Sequence, residues 1–198
     1  MAHIFDARKM AKLDDPRRKE FISPGKIMEL LQIQEGEIVS DLGCGIGYLT
    51  LPAAQRVGSG GFVFGLDIQE AMLVEALARS RQNNLHNIAW VLMPPDRISL
   101  PAESVDCLTM VMVAHEIPDL GGMLKECRRV LRPGGRVGIV EWNQAFTEIG
   151  PPLDHRLKPE VLLQEMEKQG FAGLELTELS NAAYLVKGGR EKGGCYGR

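Results

Sequence analysis

The sequence predicts an α/β fold, a doubly wound and mostly parallel sheet of seven strands with helices on both faces and an antiparallel hairpin at its C-terminal end. Two observations carry this expectation. Short apolar runs alternate with segments of helical period over most of the chain, the pattern of a parallel sheet covered on both sides. One stretch, residues 37–54 (EIVSDLGCGIGYLTLPAA), joins a buried strand, a glycine-rich turn and an apolar helix, and such sheets bind nucleotides at that kind of junction.

Taken in order, residues 1–22 show no clean periodicity beyond a short helical turn expected after Asp14-Asp15-Pro16. Ser23-Pro24 is a strong helix start, a hydroxyl cap followed by proline at the first helical position. Ile27, Met28, Leu30 and Leu31 give that helix one apolar face, and it is expected to end near Glu35-Gly36. The first strand and the glycine turn follow. Residues 62–67 (FVFGLD) read as a second buried strand closing on a carboxylate, and Met72, Leu73, Ala76 and Leu77 recur at helical spacing after it. Residues 87–93 read as a third strand, stopped by Pro94-Pro95. The long apolar run at 105–113 (VDCLTMVMV) suits a central strand buried on both faces. A helix over 120–131 and a strand over 137–142 are joined by Arg132-Pro133-Gly134-Gly135. A polar segment, 143–157, precedes a helix stopped by Gly170, and strands at 173–177 and 183–187 close the fold as a hairpin. Residues 1–187 are thus expected to be one domain, 1–35 a helical cap on a core of 36–187, with 188–198 a flexible tail too poor in apolar residues to order itself.

Composition bounds the function. A chain of 198 residues can bury roughly 70% of its unfolded surface in one domain. Hydrophobic content of 44% with 25% charge is ordinary for a globular protein, and a net charge of −3 gives no argument for nucleic acid as a partner. The basic residues near the start (Arg8, Lys9, Lys12, Arg17, Arg18) are interspersed with Asp6, Asp14 and Asp15 and read as a solvated face. Cys44, Cys107, Cys127 and Cys195 show no paired spacing, which argues against a metal site or disulfide framework and suits a reducing compartment. No membrane span and no signal-peptide core are visible, so a cytoplasmic location is expected. Nothing in the sequence fixes an oligomeric state.

In a sheet of this kind the ligand sits at the carboxyl ends of the strands. Asp67 ends the second strand twenty residues beyond Gly47, where a carboxylate accepts hydrogen bonds from a ribose. The turn itself discriminates between ligands. A dinucleotide fingerprint places a third glycine three residues after its second; here that position is Tyr48, in Gly43-Cys44-Gly45-Ile46-Gly47-Tyr48. Asp41 stands at the mouth of the turn, where a carboxylate repels a pyrophosphate and favours an ammonium or sulfonium group.

Four blocks in register, VSDLGCGIGYLTLPAA, FVFGLDIQEAML, LPAESVDCLTMVMVAHEIPD and LKECRRVLRPGGRVGIVEW, resemble the class I S-adenosylmethionine-dependent methyltransferases. The last is similar to a signature of the ubiquinone/menaquinone-biosynthesis type. The resemblance covers roughly residues 36–142 and implies a Rossmann-like core and S-adenosylmethionine as cofactor. It implies that Asp41, Gly43, Gly45 and Gly47 line the methionine and ribose part, that Asp67 holds the ribose hydroxyls and that Ile68 packs on the adenine. The strand end at Met112 would offer backbone groups to the methionine. The family commonly sets an acidic residue for the adenine amino group where Pro94 stands here, so Asp96 is the expected substitute.

Methyl transfer from a sulfonium is an in-line displacement that needs alignment and exclusion of water, with a general base only where the acceptor loses a proton. His115 and Glu116, just past the fourth strand, are best placed for that role; His115 also reads as a loop histidine with a structural hydrogen bond. Glu141 reads as a partner to these or as a satisfied strand-end carboxylate. Asp154-His155-Arg156 reads as a cap on the acceptor pocket or as a loop anchor. With no added domain and no basic stripe, a small molecule is the expected acceptor, an apolar aromatic one by analogy. Replacing Asp67 with alanine is expected to weaken cofactor binding and leave the fold intact. The alternatives are a cofactor-binding module without turnover and, disfavoured by Asp41 and Tyr48, an NAD(P)-dependent oxidoreductase.

Overall fold

The computed structural model describes residues 5–145 and 150–192. A 3₁₀ helix, Ala7–Asp14, and two short helices, α1 (Arg18–Phe21) and α2 (Pro24–Leu30), precede the sheet. Ser23 caps α2 by accepting from the Lys26 N–H, with proline in the first turn. That helix stops earlier than its apolar run suggested, because the chain turns at Gln32 with φ of 52°. The strands and helices that follow are β1 (Ile38–Leu42), α3 (Thr50–Val57), β2 (Phe62–Asp67), α4 (Glu70–Gln82), β3 (Ile88–Leu92), β4 (Val105–Val111), α5 (Leu120–Val130), β5 (Leu131–Trp142), α6 (Pro159–Lys168), β6 (Ala172–Glu178) and β7 (Ala183–Gly189).

Seven strands form one sheet in the order β3-β2-β1-β4-β5-β7-β6. The first five strands in chain order pair in parallel, and β7 runs antiparallel to both β5 and β6. Alternate strand residues feed two apolar layers. Leu42, Leu66, Leu108, Met110 and Ile139 pack with Leu124 and Cys127 of α5 and Leu162 of α6. On the other face Val39, Val63, Cys107 and Val140 pack with Ile27 of α2 and Ala53 and Val57 of α3.

The chain runs outward from β1 to β3 on one side, then returns to lay β4 against the other edge of β1. The crevice above the carboxyl ends of β1 and β4 is therefore the switch point where such sheets take ligands. Register carries side chains to it. Asp41 lies beside Gly65 of β2 and Thr109 of β4, and Val111 lies beside Val140 of β5.

The ordered chain extends past the expected end at 187. Gly188 and Gly189 complete β7, the Arg190 N–H donates to the Gly135 carbonyl, and its guanidinium bonds the Leu131 carbonyl and Glu103 at 2.6 Å each. The rest of the expected tail, 193–198, and the middle of the polar segment, 146–149, lie outside the described residues. Among the described residues no helix is long and apolar enough to cross a membrane.

Candidate active site

The turn after β1 is built on left-handed backbone. Gly43, Gly45 and Gly47 have φ of 69°, 52° and 89°, values that cost any residue with a Cβ. At Gly43 a Cβ would also fall 2.4 Å from a methyl of Val113, so β4's continuation packs directly on the turn. At Gly45 the nearest atom would be Leu13 at 3.5 Å, and that open side faces the crevice. The turn is pinned to β2: the N–H groups of Gly43 and Cys44 donate to the Leu66 carbonyl, and the Gly45 N–H donates to Asp67 Oδ2 at 2.9 Å. Asp67 Oδ1 accepts from the Gln69 N–H at 2.9 Å. Burial pushes the Asp67 carboxyl up, against these backbone hydrogen bonds.

Asp41 is deeper than a residue at the mouth. It is 2% exposed, with Oδ2 accepting from the Thr50 hydroxyl at 2.6 Å and Oδ1 from the Thr109 hydroxyl at 2.8 Å. Thr50 is the first residue of α3, so this carboxylate ties the helix to the two central strands. Burial pushes its pKa up to about 6, outweighing both hydroxyls.

The cavity above has a volume of about 1260 Å³, more than the ~300–1,000 Å³ of a pocket for one small ligand. Its wall includes Asp41, Gly43, Gly45, Asp67, Ile68, Met112, His115 and Glu116. Two expected residues are not on it. Gly47 serves the turn, and Asp96 is exposed to solvent while Met93 and Pro95 face the cavity. Met112 has φ of 61°, and its N–H already donates to the Val140 carbonyl at 2.8 Å, which leaves its carbonyl for a ligand.

His115 and Glu141 are brought together by the neighbouring ends of β4 and β5. The buried Glu141 sets Oε2 2.8 Å from His115 Nδ1, and its Oε1 accepts from the His115 N–H at 3.1 Å. On the other side of the ring, Nε2 lies 3.8 Å from Glu116 Oε1. Burial works to lower the His115 pKa but is outweighed by the hydrogen bond and charge of Glu141, with help from Glu116, so the pKa stands above 6.5. Glu116 Oε2 accepts from the Phe5 N–H at 3.0 Å, and burial pushes its carboxyl up.

The N-terminal segment forms part of the wall, although its basic side chains, Arg18 apart, are exposed as expected of a solvated face. Lys9, Lys12, Arg17 and Arg18 line the cavity, while Arg8 points to solvent. The segment is tied down by Gln69, whose Nε2 donates to the Phe5 carbonyl, and by a two-pronged Arg79–Asp14 pair at 2.6 and 2.7 Å. Across the cavity the polar segment after β5 divides its two expected roles. Asp154 and His155 line the wall, and Arg156 anchors the loop by donating to the carbonyls of Asn143 and Pro151. Trp142, Pro151 and Pro152 complete that end.

A methyltransferase-domain family model matches residues 39–135. The chain is 31% identical over 154 residues to the aklanonic acid methyltransferase DauC of Streptomyces sp. strain C5, an alignment covering 76% of this chain and 70% of that protein. It is 38% identical over 126 residues to the demethylmenaquinone methyltransferase of Lactobacillus johnsonii, covering 63% of this chain and 51% of that protein, so the chain spans about half of that relative's length. The crystal structure of a SAM-dependent methyltransferase from Aquifex aeolicus superposes with a TM-score of 0.90 at 28% identity, covering 94% of this chain and 100% of the other.

Proposed function

Because the chain belongs to the class I S-adenosylmethionine-dependent methyltransferases, we propose that it methylates an oxygen nucleophile on a small, largely apolar acceptor, with His115 as the general base. The residues present fit the family's cofactor. The open side of Gly45 admits a ligand close to the backbone, the Asp67 carboxylate stands at the end of β2 for a ribose, and the acidic wall at Asp41 and Asp67 suits a cationic amino-acid nucleoside. When bound, S-adenosylmethionine supplies a methyl group activated as a sulfonium for in-line displacement. The volume beyond a single ligand leaves room for an acceptor beside it.

One observation carries the reading: a wholly buried carboxylate holds Nδ1 of a histidine on the cavity wall. With Nδ1–H donated to Glu141, the neutral ring presents the Nε2 lone pair away from Glu141. An acceptor hydroxyl placed there gives up its proton as its oxygen attacks, and Glu141 stabilises the imidazolium that results. Met112, Trp142, Pro151 and Pro152 supply apolar surface to hold the acceptor and exclude water, and His155 gives that end a second polar contact. Transfer breaks the sulfur–methyl bond and leaves a methyl ether, S-adenosylhomocysteine as the departing thioether and a protonated His115, which returns its proton to solvent.

The test is transfer of labelled methyl from S-adenosylmethionine to a panel of small phenols, enols, amines and thiols. The expected result is turnover with the oxygen acceptors. For the acceptor found, His115→Ala is expected to lower kcat by roughly 10²-fold or more while leaving cofactor affinity unchanged. Full turnover by that variant would remove the base from the mechanism.

A further inference from the structure

Among the described residues Arg18 is a cavity-lining cation set against the residue that follows the glycine turn, with no carboxylate close enough to pair with it directly. Its guanidinium carbon stands 4.3 Å from the centre of the Tyr48 ring, and Nη1 donates to the Leu13 carbonyl at 2.9 Å. Tyr48 follows the last glycine of the turn, and its hydroxyl donates to the Ile22 carbonyl at 2.6 Å, which fixes the ring as a platform. Leu13 in turn is the side chain nearest the open face of Gly45. Arg18 is half-buried, and among the described residues no carboxylate lies within ion-pair distance of it. The two carboxylates nearest in sequence are committed elsewhere: Asp15 pairs with Arg17 at 2.6 Å, and Asp14 pairs with Arg79. Taking a guanidinium partly out of water without a counter-charge is unfavourable, and stacking on one aromatic face offsets only part of that. A planar fork with donors left over, held rigid on a ring, is suited to a carboxylate.

Resting on the reading of the cofactor given above, we infer that Arg18, stacked on Tyr48, binds the carboxylate of the methionine tail. Lys9 and Lys12 also line the cavity, but both are exposed to solvent. The Arg79–Asp14 pair ties down the end of the 3₁₀ helix that carries Leu13, whose carbonyl accepts from Arg18. The segment before β1 thereby becomes a component of the cofactor site.

Two ligands that differ in the amino-acid tail test the inference. S-adenosylhomocysteine carries the amino-acid tail and 5′-methylthioadenosine lacks it, while both keep the nucleoside. Calorimetry with the unaltered protein, Arg18→Met and Arg18→Lys gives a cycle that reads the coupling between Arg18 and the amino-acid tail, in which the carboxylate is the group a cation attracts. The expected result is a loss of S-adenosylhomocysteine affinity in Arg18→Met of about ten- to a hundredfold, with 5′-methylthioadenosine affinity unchanged and Arg18→Lys in between. Equal weakening of both ligands would mean that Arg18 only holds the segment in place, and no change in either would place the carboxylate elsewhere; both outcomes overturn the inference. Failure of the unaltered protein to bind S-adenosylhomocysteine would instead overturn the cofactor reading beneath it.

Discussion

Glu141 grips His115 twice, through the main-chain N–H and through Nδ1 of the ring, at 3.1 and 2.8 Å. The carboxylate is the penultimate residue of β5 and fully buried, so the imidazole is held from inside the sheet and not from the loop that carries it. A base fixed in this way keeps one tautomer and one orientation.

The pH dependence of turnover follows from that grip. The folded pKa of His115 lies above 6.5, so the base is neutral only as pH rises through that value, and kcat is expected to climb along an ascending limb above pH 6.5. The stability that the pair contributes has the opposite sense. It is fully present below 6.5 and is lost as pH rises through the raised pKa. Glu141→Gln is expected to move the ascending limb to lower pH and to reduce the plateau by less than the roughly 10²–10⁴-fold carried by the base itself. An unmoved limb in that variant would show that another group is being titrated.

Asp41 is held at the cost of stability. Its folded pKa of about 6 stands above the ordinary 3.8, so its contribution falls as pH rises between those values, by about 3 kcal/mol in all. Asp41→Asn removes the buried charge and keeps groups able to bond Thr50 and Thr109. The ligand-free variant is expected to lose less stability than the parent in urea melts between pH 4 and 7, while binding S-adenosylmethionine more weakly by about 1–3 kcal/mol. A variant with the parent's pH profile would mean that Asp41 is protonated, or paired otherwise, throughout.

Two glycines of the turn are expected to fail differently. Gly43→Ala meets both a left-handed φ and the methyls of Val113, and should lower thermal stability by well over the ~1–2 kcal/mol of backbone strain alone. Gly45→Ala has room for its methyl beside Leu13, so it should fold with a loss near that strain and show its main defect in cofactor binding.

Asp67→Ala is expected to do more than weaken the cofactor. The carboxylate also accepts the N–H groups of Gly45 and Gln69, and orphaning a buried donor costs about 1–3 kcal/mol. Stability should therefore fall with affinity, whereas Asp67→Asn, which keeps an acceptor oxygen, should separate the two. The sequence alone suggests an intact fold in the alanine variant, because it shows the strand end and not the turn folded back over it.

The same distinction runs through the site. The strand, turn and helix around Gly43 were legible because their residue types and spacing act locally; the strand ends named Asp67, Met112 and His115 as cavity residues, and the family resemblance named Ile68. The pairing of His115 with Glu141 depends on β4 and β5 being neighbours, which is a property of sheet order. The role of residues 5–18 was hidden for another reason. A 3₁₀ helix has three residues per turn and no 3.6-residue stripe to detect, and its contact through Phe5 is made by backbone, which any residue supplies. Asp96 was misplaced by the turn at Pro94-Pro95, which presents Pro95 to the cavity and leaves the aspartate in solvent.

The central claim is that this cavity holds S-adenosylmethionine and not a dinucleotide. Calorimetric titration of the unaltered protein with S-adenosylhomocysteine and with NADH tests it most directly. Saturable binding of S-adenosylhomocysteine at one site per chain, with no heat from NADH, is the result expected; binding of NADH alone would contradict the account.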